Sequence, residues 1–585
     1  MNGAEYIAEF FRQRGSSNFF LVTGGACAFI VDAIARNSGT KYVCFQHEQA
    51  AAMAADSLWR IDKTVGVTVA TSGPGATNLI TGIACSYFDS IPTIHITGQV
   101  NQIESANFLG AKVRQAGFQE TNIVDMVKPI TKYAVQVKNG EGLKRELEKA
   151  YNEAISNRKG PVLIDVPMNV QKEEVGDEII YRAPKEEKIS ATEASSIAKK
   201  ISEFFAASKR PVILFGAGIG LAGAEKEVAS WLEKNSAVPF VSSWNGMTYF
   251  NHDMKNYHGQ IGVYGNRGAN FLLQNCDALL VLGSRLDNRQ RSGNPKSFAP
   301  VAKVCVIDVD AEELKKYKPE GYLTIHMDLV NSGEVLNSVA SLNVADEWKD
   351  FAAKMKAEFF GKDASEFAAK HGTLSPYLVV QKINKMIAND AVVVADDGAN
   401  LCWVFQIFHR TNQILYTAGG NSPMAYSFPA AIGAALHKPK KQVIAFTGDG
   451  SFQMNIQELQ TAFFHKLNLK LFILNNDGYG IIKQFQDLYF GGRHEATGNG
   501  YSAPDFKKVV EAYGVKYFRV ESLSDISCDI FEYQGPAVID VILHQNTLIE
   551  PKLEMGRPIH DQYPYLPEEK IYSLNPYNNY QRIKK

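Results

Sequence analysis

Apolar and polar positions follow their clearest pattern between residues 443 and 480. Residues 443–446 and 469–474 are short, mainly apolar runs of the length typical of buried strands. Apolar residues between them recur at the spacing of one helix face and predict a single helix: Ile456, Leu459, Phe463 and Leu467. Strands joined in this way are parallel, and their carboxyl ends lie side by side. The pattern therefore predicts a strand–helix–strand unit that places Asp449 and Asn476 at neighbouring strand ends.

The same alternation of apolar runs, glycine turns and helical patterns extends over most of the chain. It forms three blocks, at residues 1–170, 210–308 and 375–545. Strand-then-glycine patterns with helices between them are typical of a parallel sheet covered on both faces. A charged stretch at 171–190 predicts a surface linker, and a charged helical stretch near 345–370 separates the second and third blocks. The chain is therefore predicted to have an α/β fold.

Length and composition narrow the class of protein. The 585 residues predict roughly three or four domains. A net charge of −1 provides no overall field that attracts nucleic acid or an anionic membrane. The seven cysteines form no CxxC pair and are interpreted as buried thiols in a reducing compartment. Without an apolar signal region or a run long enough to span a membrane, we expect a soluble cytoplasmic protein.

The polar residues at the predicted strand ends are suited to a metal and a phosphate group. A carboxylate at Asp449 and an amide oxygen at Asn476 are ligands that Mg²⁺ prefers. Gly450, Gly478 and Gly480 would let the backbone approach phosphate closely, while Ser451 adds a hydroxyl donor. A lone GDG is usually only a turn, so the spacing between the two strand ends carries the prediction.

Together, the motifs along the chain indicate a resemblance to a known enzyme family. The chain, from about 1 to 560, resembles acetolactate synthase and its relatives among the thiamine diphosphate enzymes that act on pyruvate. The matching motifs are TGGA at 23–26, HEQAAA at 47–52, SGPGATN at 72–78, TGQV at 97–100, FQE at 118–120, GPVLIDVP at 160–167, GSRLDNR at 283–289, PMAYSFPAAIGAAL at 423–436 and the GDGS and NNDGYG segments from 448 to 480.

The resemblance implies three doubly wound parallel-sheet domains and a tail. A pyrimidine-binding domain at 1–172 would be followed by a central domain at 190–345 that often holds FAD. A diphosphate- and metal-binding domain at 372–550 and a C-terminal tail at 551–585 would complete the chain. The family also implies a homodimer or homotetramer with active sites between subunits. Its partners would be a small 2-oxo acid and an acceptor, with no nucleic acid and no membrane.

The family assigns catalytic roles to a few positions. Glu48 would share a proton with the cofactor ring, whereas a glutamate in a first helical turn otherwise only complements the helix dipole. Met424 would bend the cofactor by its shape, although core packing is the simpler role of a methionine. Gly25 would leave room at the reactive carbon. Gln119 and Phe118 would face the bound substrate.

Other positions are matched to cofactor and metal binding. Those expected around thiamine diphosphate are Thr23, Gly24, Thr71, Pro74, Asn78, Gly398, Asn400, Gly450, Ser451, Tyr479 and Gly480. The Mg²⁺ ligands would be Asp449, Asn476 and Gly478. FAD, with a structural role, would contact Gly216, Gly218, Gly262, Gly265, Arg285, Asp308 and Asp328. Short glycine turns such as GAGIG are common after strands, so that motif alone is weak.

Departures from the family concern the acceptor. Phe485 stands where acetolactate synthases have a tryptophan, Met168 replaces a lysine, and Asn400 replaces a histidine near the diphosphate. The loop between residues 99 and 119 is expected to be longer, while Arg289 is kept and could hold an acceptor carboxylate. We expect a thiamine diphosphate- and Mg²⁺-dependent carboligase that decarboxylates pyruvate and transfers the two-carbon unit to an acceptor carbonyl. The acceptor would be a second 2-oxo acid or, as the longer loop suggests, a bulky keto-sugar bound to a nucleotide. The alternatives are acetolactate synthase proper, a flavin-dependent oxidase or plain decarboxylase, and a non-catalytic scaffold.

Overall fold

Three parallel six-stranded sheets follow one another along the chain. The structure, a computed structural model, describes residues 1–184, 188–361 and 374–582. Each sheet with the helices around it forms one domain, the first, the middle and the third in chain order, and the predicted fold class is confirmed. The predicted boundary at 372 lies outside the described residues, and the boundaries at 172, 190, 345 and 550 stay predictions.

The first sheet contains β1 (Asn18–Leu21), β2 (Lys41–Cys44), β3 (Gly66–Ala70), β4 (Thr93–Gln99), β5 (Tyr133–Gln136) and β6 (Val162–Pro167). The second contains β7 (Pro211–Phe215), β8 (Phe240–Ser242), β9 (Tyr257–Gln260), β10 (Ala278–Leu282), β11 (Lys303–Asp308) and β12 (Leu323–His326). The third contains β13 (Val392–Ala395), β14 (Ile414–Tyr416), β15 (Val443–Gly448), β16 (Leu469–Asn475), β17 (Lys516–Val520) and β18 (Ala537–Ile542).

Strand order shows where ligands can bind. The first sheet runs β2-β1-β3-β4-β6-β5 and the third runs β14-β13-β15-β16-β18-β17, which is the same order counted from each first strand. The middle sheet runs β9-β8-β7-β10-β11-β12, the order of a dinucleotide-binding fold. In open parallel sheets, ligands bind beyond the carboxyl ends of strands where the order reverses. The reversals fall between β1 and β3, between β7 and β10, and between β13 and β15.

The helices are spread over all three domains. Those of the first domain are Gly3–Arg12, Ala28–Arg36, Glu48–Asp62, Pro74–Asn78, Ile80–Asp89, Ile123–Val127, Gly140–Ile155 and Met168–Lys172. Those of the middle domain are Ala191–Phe205, Gly218–Ala222, Glu225–Lys234, Arg267–Asn275, Asn288–Arg291, Ala311–Lys315, Ser332–Leu336 and Asp346–Phe359. Those of the third domain and the tail are Pro376–Met386, Ala399–Ile407, Ser427–His437, Asp449–Gln453, Leu459–Phe464, Gly480–Tyr489, Phe506–Ala512, Cys528–Glu532 and Glu568–Ser573.

The strand–helix–strand unit at 443–480 is correct in its strands and wrong in its helix. Strands β15 and β16 are parallel neighbours, with Gly448 opposite Leu474. The single predicted helix is instead two short helices with a 3₁₀ turn, Ile456–Glu458, between them. The break follows Asn455, a buried residue whose amide donates to the carbonyl of Ala425 at 2.9 Å. A tertiary contact therefore overrides the helical periodicity.

The tail lies on the middle domain. Buried side chains of the Arg267–Asn275 helix donate to its backbone carbonyls: Asn270 to Ile559 at 2.9 Å and Asn275 to Leu574 at 3.0 Å. Two short antiparallel strands, β19 (Lys552–Leu553) and β20 (Gln562–Tyr563), pair within the tail. The tail is thus an integral layer of the middle domain.

All seven cysteines are free thiols. The expectation that they are buried is wrong for Cys44 and Cys528, which are exposed, and holds for the other five. Within the described ranges, every helix is too short or too polar to cross a membrane.

The first and third domains pack through two helices, Glu48–Asp62 and Ser427–His437. A Cβ atom added to Gly433 would lie 2.4 Å from the carbonyl oxygen of Ala54. Because that neighbour is backbone, a larger residue would force the helices apart.

We expect Gly433→Ala to destabilise the protein by about 1–3 kcal/mol, the usual cost of overpacking. The matched control is Gly333→Ala, also in a helix, where the nearest atom to an added Cβ is the flexible Glu227 Cγ at 3.2 Å. That control should be neutral or stabilising by up to about 1 kcal/mol, because alanine is the better helix former. Urea denaturation of both variants measures the difference, and equal midpoints would contradict close helix packing at Gly433.

Candidate active site

The first group of candidate residues lies where the order of the first sheet reverses. The turn after β1 contacts the turn after β3, since a Cβ on Gly24 would lie 2.5 Å from Thr71 Cβ. The hydroxyl oxygen of Thr71 accepts from the Ala26 amide at 3.2 Å. Only glycine fits at 24, so Thr71 itself fixes the path of the first turn. Gly25 differs, because an added Cβ there would meet open space.

Glu48 begins the Glu48–Asp62 helix beside these turns. His47 caps the helix, with its Nδ1 accepting from the Gln49 amide at 3.1 Å. The Glu48 side chain is buried, and its Oε2 accepts from Asn78 Nδ2 at 2.9 Å. A Cβ on Gly75 would lie 3.2 Å from the other carboxylate oxygen. Asn78 and Gly75 belong to the helix that starts at Pro74, so the SGPGATN motif encloses the carboxylate of Glu48.

Gln119 adjoins the same turns from a long loop. Its backbone has φ +61°, a left-handed conformation that is unusual for glutamine. A Cβ on Gly73 would lie 2.9 Å from the Gln119 Cβ. Gln99 supports the loop by donating to the Thr121 carbonyl at 2.9 Å. Phe118 stays 84% exposed, so within one chain it has little to pack against.

A second group lies where the order of the third sheet reverses. Asp449 follows β15 and is buried. Its Oδ2 accepts from the amide of Gly478 at 2.9 Å and from the hydroxyl of Tyr501 at 2.6 Å. Burial raises the pKa of Asp449 to about 6, and the two donors partly offset that effect. The contact with Gly478 joins the GDG turn to the NNDGYG turn, as the paired strands require.

The residues around Asp449 fit a hard cation. Asn476 is buried, and its Nδ2 has no hydrogen-bond partner among the described residues. A Cβ on Gly480 would lie 2.8 Å from that nitrogen, and one on Gly450 would lie 2.4 Å from the Tyr479 ring. Within the described parts of the chain, no group of three His, Cys, Asp or Glu side chains could hold a metal. A site of one carboxylate, one amide oxygen and a backbone carbonyl, completed by phosphate and water, is the alternative that Mg²⁺ accepts.

Met424 is positioned by its neighbour in the chain. Ala425 has φ +67°, which is costly for alanine. Its amide donates to Ser451 Oγ at 2.6 Å, and its carbonyl accepts from Asn455. The segment after Asp449 therefore holds the turn that presents Met424.

Asn400 sits beside Gly398 and Gly448 but is oriented by a buried carboxylate. Its Nδ2 donates to the carbonyl of Asp396 at 2.9 Å and to the Asp396 carboxylate at 2.8 Å. The amide oxygen thus faces the two glycines. The family resemblance places Asn400 near the diphosphate, and in this orientation its amide hydrogens point to Asp396.

A cleft in the middle domain opens at the reversal between β7 and β10. It is lined by four residues predicted to contact a nucleotide: Gly218, Arg285, Asp308 and Asp328. Arg158 and Lys159 of the first domain and Gly419 of the third also line it. Burial raises the pKa of Asp308. The set fits a dinucleotide such as FAD, because the cleft lies where this strand order binds one.

Three other predicted nucleotide-contact residues do not line this cleft. Gly216, Gly262 and Gly265 instead allow close backbone packing, with Cβ positions 1.9, 2.3 and 2.4 Å from other backbone atoms. Sequence reasoning missed Arg158 and Lys159, because no local pattern indicates that they reach another domain.

Arg289 of the middle domain contacts two side chains of the third domain. Its Nη1 lies 3.5 Å from Asp397 Oδ1 and 3.3 Å from Ser422 Oγ. Phe485 lies on the Gly480–Tyr489 helix, where its ring centroid is 4.5 Å from that of Tyr489.

The structure forms two half-sites, one around Glu48 and one around Asp449. The contacts found for the described residues join Glu48 only to first-domain groups and Asp449 only to third-domain groups. Apolar side chains near both are exposed, among them Phe118 and Ile482 at 49%.

Family models match the chain in three consecutive parts. The thiamine pyrophosphate enzyme N-terminal TPP binding domain matches residues 1–126 and the central domain matches residues 198–335. The thiamine pyrophosphate enzyme C-terminal TPP binding domain matches residues 396–541. The two cofactor-binding matches contain the two half-sites.

Curated relatives cover nearly the same length. The acetolactate synthase isozyme 2 large subunit of Escherichia coli (strain K12) is 33% identical over 88% of this chain and 90% of its own. A probable acetolactate synthase large subunit of Methanocaldococcus jannaschii is 33% identical over 93% and 92%, respectively. The acetolactate synthase large subunit of Lactococcus lactis is 31% identical over 95% of each chain.

We expect Asp449→Asn to weaken Mg²⁺-dependent binding of thiamine diphosphate. Loss of an outer partner alone costs about 10–100-fold in metal affinity, so loss of Asp449 as the expected ligand should cost at least about 100-fold. The amide oxygen of asparagine can still accept from Gly478 and Tyr501, so the fold should persist. Isothermal titration with Mg²⁺ present measures the change.

The control is Asp477→Asn in the same turn. Asp477 is exposed and has φ +51°, a conformation that asparagine tolerates equally well. Its affinity should stay within about twofold of the wild type, because it removes no ligand. Equal losses in both variants would show that net charge, not coordination, governs binding.

Proposed function

This chain belongs to the family of thiamine pyrophosphate enzymes that includes the acetolactate synthase large subunits, and from that membership we propose that it decarboxylates a 2-oxo acid, pyruvate, and transfers the two-carbon unit to an acceptor carbonyl. One observation carries the proposal: a buried glutamate and a buried aspartate–asparagine pair lie at equivalent reversals of two sheets with the same strand order. Glu48, Asp449 and Asn476 would thus hold opposite ends of one cofactor.

When bound, thiamine diphosphate would supply the carbon nucleophile and the electron sink that decarboxylation of a 2-oxo acid needs. Glu48 would hold a proton at a ring nitrogen, with Asn78 keeping its carboxylate in place. Asp449, Asn476 and the Gly478 carbonyl would hold Mg²⁺. Met424 would set the cofactor shape, and burial of the site would exclude water.

We propose that each active site joins two subunits, in a homodimer or a homotetramer. Support comes from Glu48 and Asp449, whose side chains share no contact among those found for the described residues. Support also comes from the loop at 101–118, where Ile103, Phe108 and Leu109 are each at least 60% exposed, as is Phe118 at its end. Exposed apolar surface beside a half-site is expected where another subunit packs.

FAD in the middle-domain cleft is proposed as a structural cofactor. Carboligation needs no redox step, so a flavin there would stabilise the junction of the three domains that line the cleft. The dinucleotide-type strand order and the carboxylates of Asp308 and Asp328 support this proposal.

The acceptor is proposed to be bulky, for example a keto-sugar bound to a nucleotide. Support comes from Phe485, on the helix that begins at Gly480, and from the loop at 101–118, which leads directly to Gln119. The second candidate is acetolactate synthase proper, which joins two molecules of pyruvate. The names of the relatives and the retention of Arg289 favour it.

We expect Glu48→Gln to lower CO₂ release from pyruvate by at least about 100-fold while thiamine diphosphate still binds, because the amide holds no transferable proton. Glu141→Gln is the control, since Glu141 also lies in a first helical turn of the first domain. If Glu48 only complements a helix dipole, both variants should lose about 0.3–1 kcal/mol of stability and no activity. Unchanged turnover in Glu48→Gln would refute the catalytic assignment.

The choice between acceptors is tested by product analysis. Purified protein is incubated with pyruvate, thiamine diphosphate and Mg²⁺, with and without a panel of 2-oxo acids and nucleotide-bound keto-sugars. We expect CO₂ release and a two-carbon-extended product that require the bulky acceptor, with flavin absorbance in the protein. Acetolactate without an added acceptor would favour the second candidate. Oxygen uptake with peroxide would indicate an oxidase, and no CO₂ with any acceptor would contradict carboligation.

A further inference from the structure

A buried carboxylate of the third domain touches the turn that leads into the Glu48 helix. Glu458 is fully buried at the end of the 3₁₀ turn Ile456–Glu458. Its Oε1 accepts from the backbone amides of Gln46 at 3.0 Å and His47 at 3.1 Å. These two residues immediately precede Glu48, so this contact joins the two domains next to the proposed catalytic carboxylate.

Both oxygens of Glu458 are held in place. Oε2 accepts from the Thr461 hydroxyl at 2.6 Å and makes a longer contact with the Gln46 amide at 3.3 Å. Burial raises the pKa of Glu458 to about 7, and these donors partly offset that effect. A buried carboxylate is costly unless its hydrogen bonds are made, so the pairing with two backbone amides is strongly specified.

Glu458 links the first domain to the part of the third domain that carries the proposed metal ligands. The residue lies in the segment between Asp449 and Asn476, which carries the proposed metal ligands. The break in the predicted helix after Asn455 brings this segment against the first domain. Thr461, one turn later, orients the carboxylate. The 3₁₀ turn, which the apolar pattern did not predict, thus places the Glu458 carboxylate within hydrogen-bond distance of the Gln46 and His47 amides.

We propose that Glu458 is a positioning residue for Glu48: by accepting from the Gln46 and His47 amides, it fixes the start of the Glu48–Asp62 helix and so the direction of the Glu48 carboxylate. The inference rests on the proposed function, because it gives Glu458 a role only through Glu48. Glu458 itself touches neither substrate nor cofactor. Removing its side chain leaves two buried amides without their acceptor and allows the turn to shift, and small displacements of a catalytic group are costly in rate.

The test compares Glu458→Ala and Glu458→Gln in the full chain. We expect Glu458→Ala to lower kcat for CO₂ release by about tenfold or more, with KM for pyruvate and cofactor affinity within about threefold of the wild type. Glu458→Gln keeps an oxygen at the position of Oε1, and the Thr461 hydroxyl can accept from its amide, so kcat should recover to within about threefold. Hydrogen exchange of the Gln46 and His47 amides should be at least about tenfold faster in the alanine variant only.

Asp62→Asn is the matched control. Asp62 ends the same helix and anchors it to the third domain through His437, 2.9 Å away, and Lys438. It should lower the unfolding midpoint while leaving kcat within about twofold, because it lies at the far end from Glu48.

Three results would overturn the inference: wild-type kcat in Glu458→Ala, an equal loss of kcat in Asp62→Asn, or a glutamine variant as impaired as the alanine variant. Absence of turnover in the wild type would instead refute the proposed function. The exchange measurement would still show whether Glu458 holds the turn.

Discussion

The packing of the Glu48–Asp62 helix against the Ser427–His437 helix is the constraint on which the rest of the structure depends. Buried charges lie at this contact: Arg60 donates to Asp56 at 2.6 Å and to Asp89 at 2.9 Å. Burial disfavours the charge on Arg60, but the two aspartates outweigh it and raise the pKa of the guanidinium. Arg60 also donates to the Thr417 carbonyl of the third domain at 2.9 Å, and the Tyr426 hydroxyl donates to Asp56 across the contact. Because an unpaired charge here would cost several kcal/mol, these buried partners favour one register of the two helices. These contacts hold the body of the helix, and Glu458 holds the turn before its first residue.

The same network extends to the middle domain and joins all three domains at one place. Asp89 accepts from the amides of Gly419 and Gly420 at 2.9 and 2.7 Å, and Asn245 donates to the Thr417 carbonyl at 2.9 Å. The turn that begins at Gly419 continues to Met424. A residue of each domain therefore helps to place the loop that is proposed to shape the cofactor, and the cleft proposed to hold a nucleotide opens at the same junction.

Local patterns in the sequence predict much of the fold and of the candidate site. Contacts between residues far apart in the chain are not predicted by such patterns. Strand ends marked by glycine and a polar residue were predictable, because period and turn residues act over a few positions. The helix expected from Ile456 onward was wrong because Asn455 and Glu458 use their side chains for partners in distant parts of the chain. Tyr501, which donates to Asp449 across 52 residues, likewise follows no periodic pattern. Such contacts become visible only when the sheets are assembled.

The shared strand order of the first and third sheets explains how one fold can serve both ends of a cofactor. The two reversals fall at equivalent places in the two sheets, so the side chains that follow the strand ends decide what each domain can bind. In the first domain the turns carry small groups around the single carboxylate of Glu48. In the third they carry Asp449 and Asn476, whose oxygens suit a cation. Since the strand order is the same, the proposed division of chemistry between the domains rests on three buried polar side chains, Glu48, Asp449 and Asn476, and on the helix contact between the two domains.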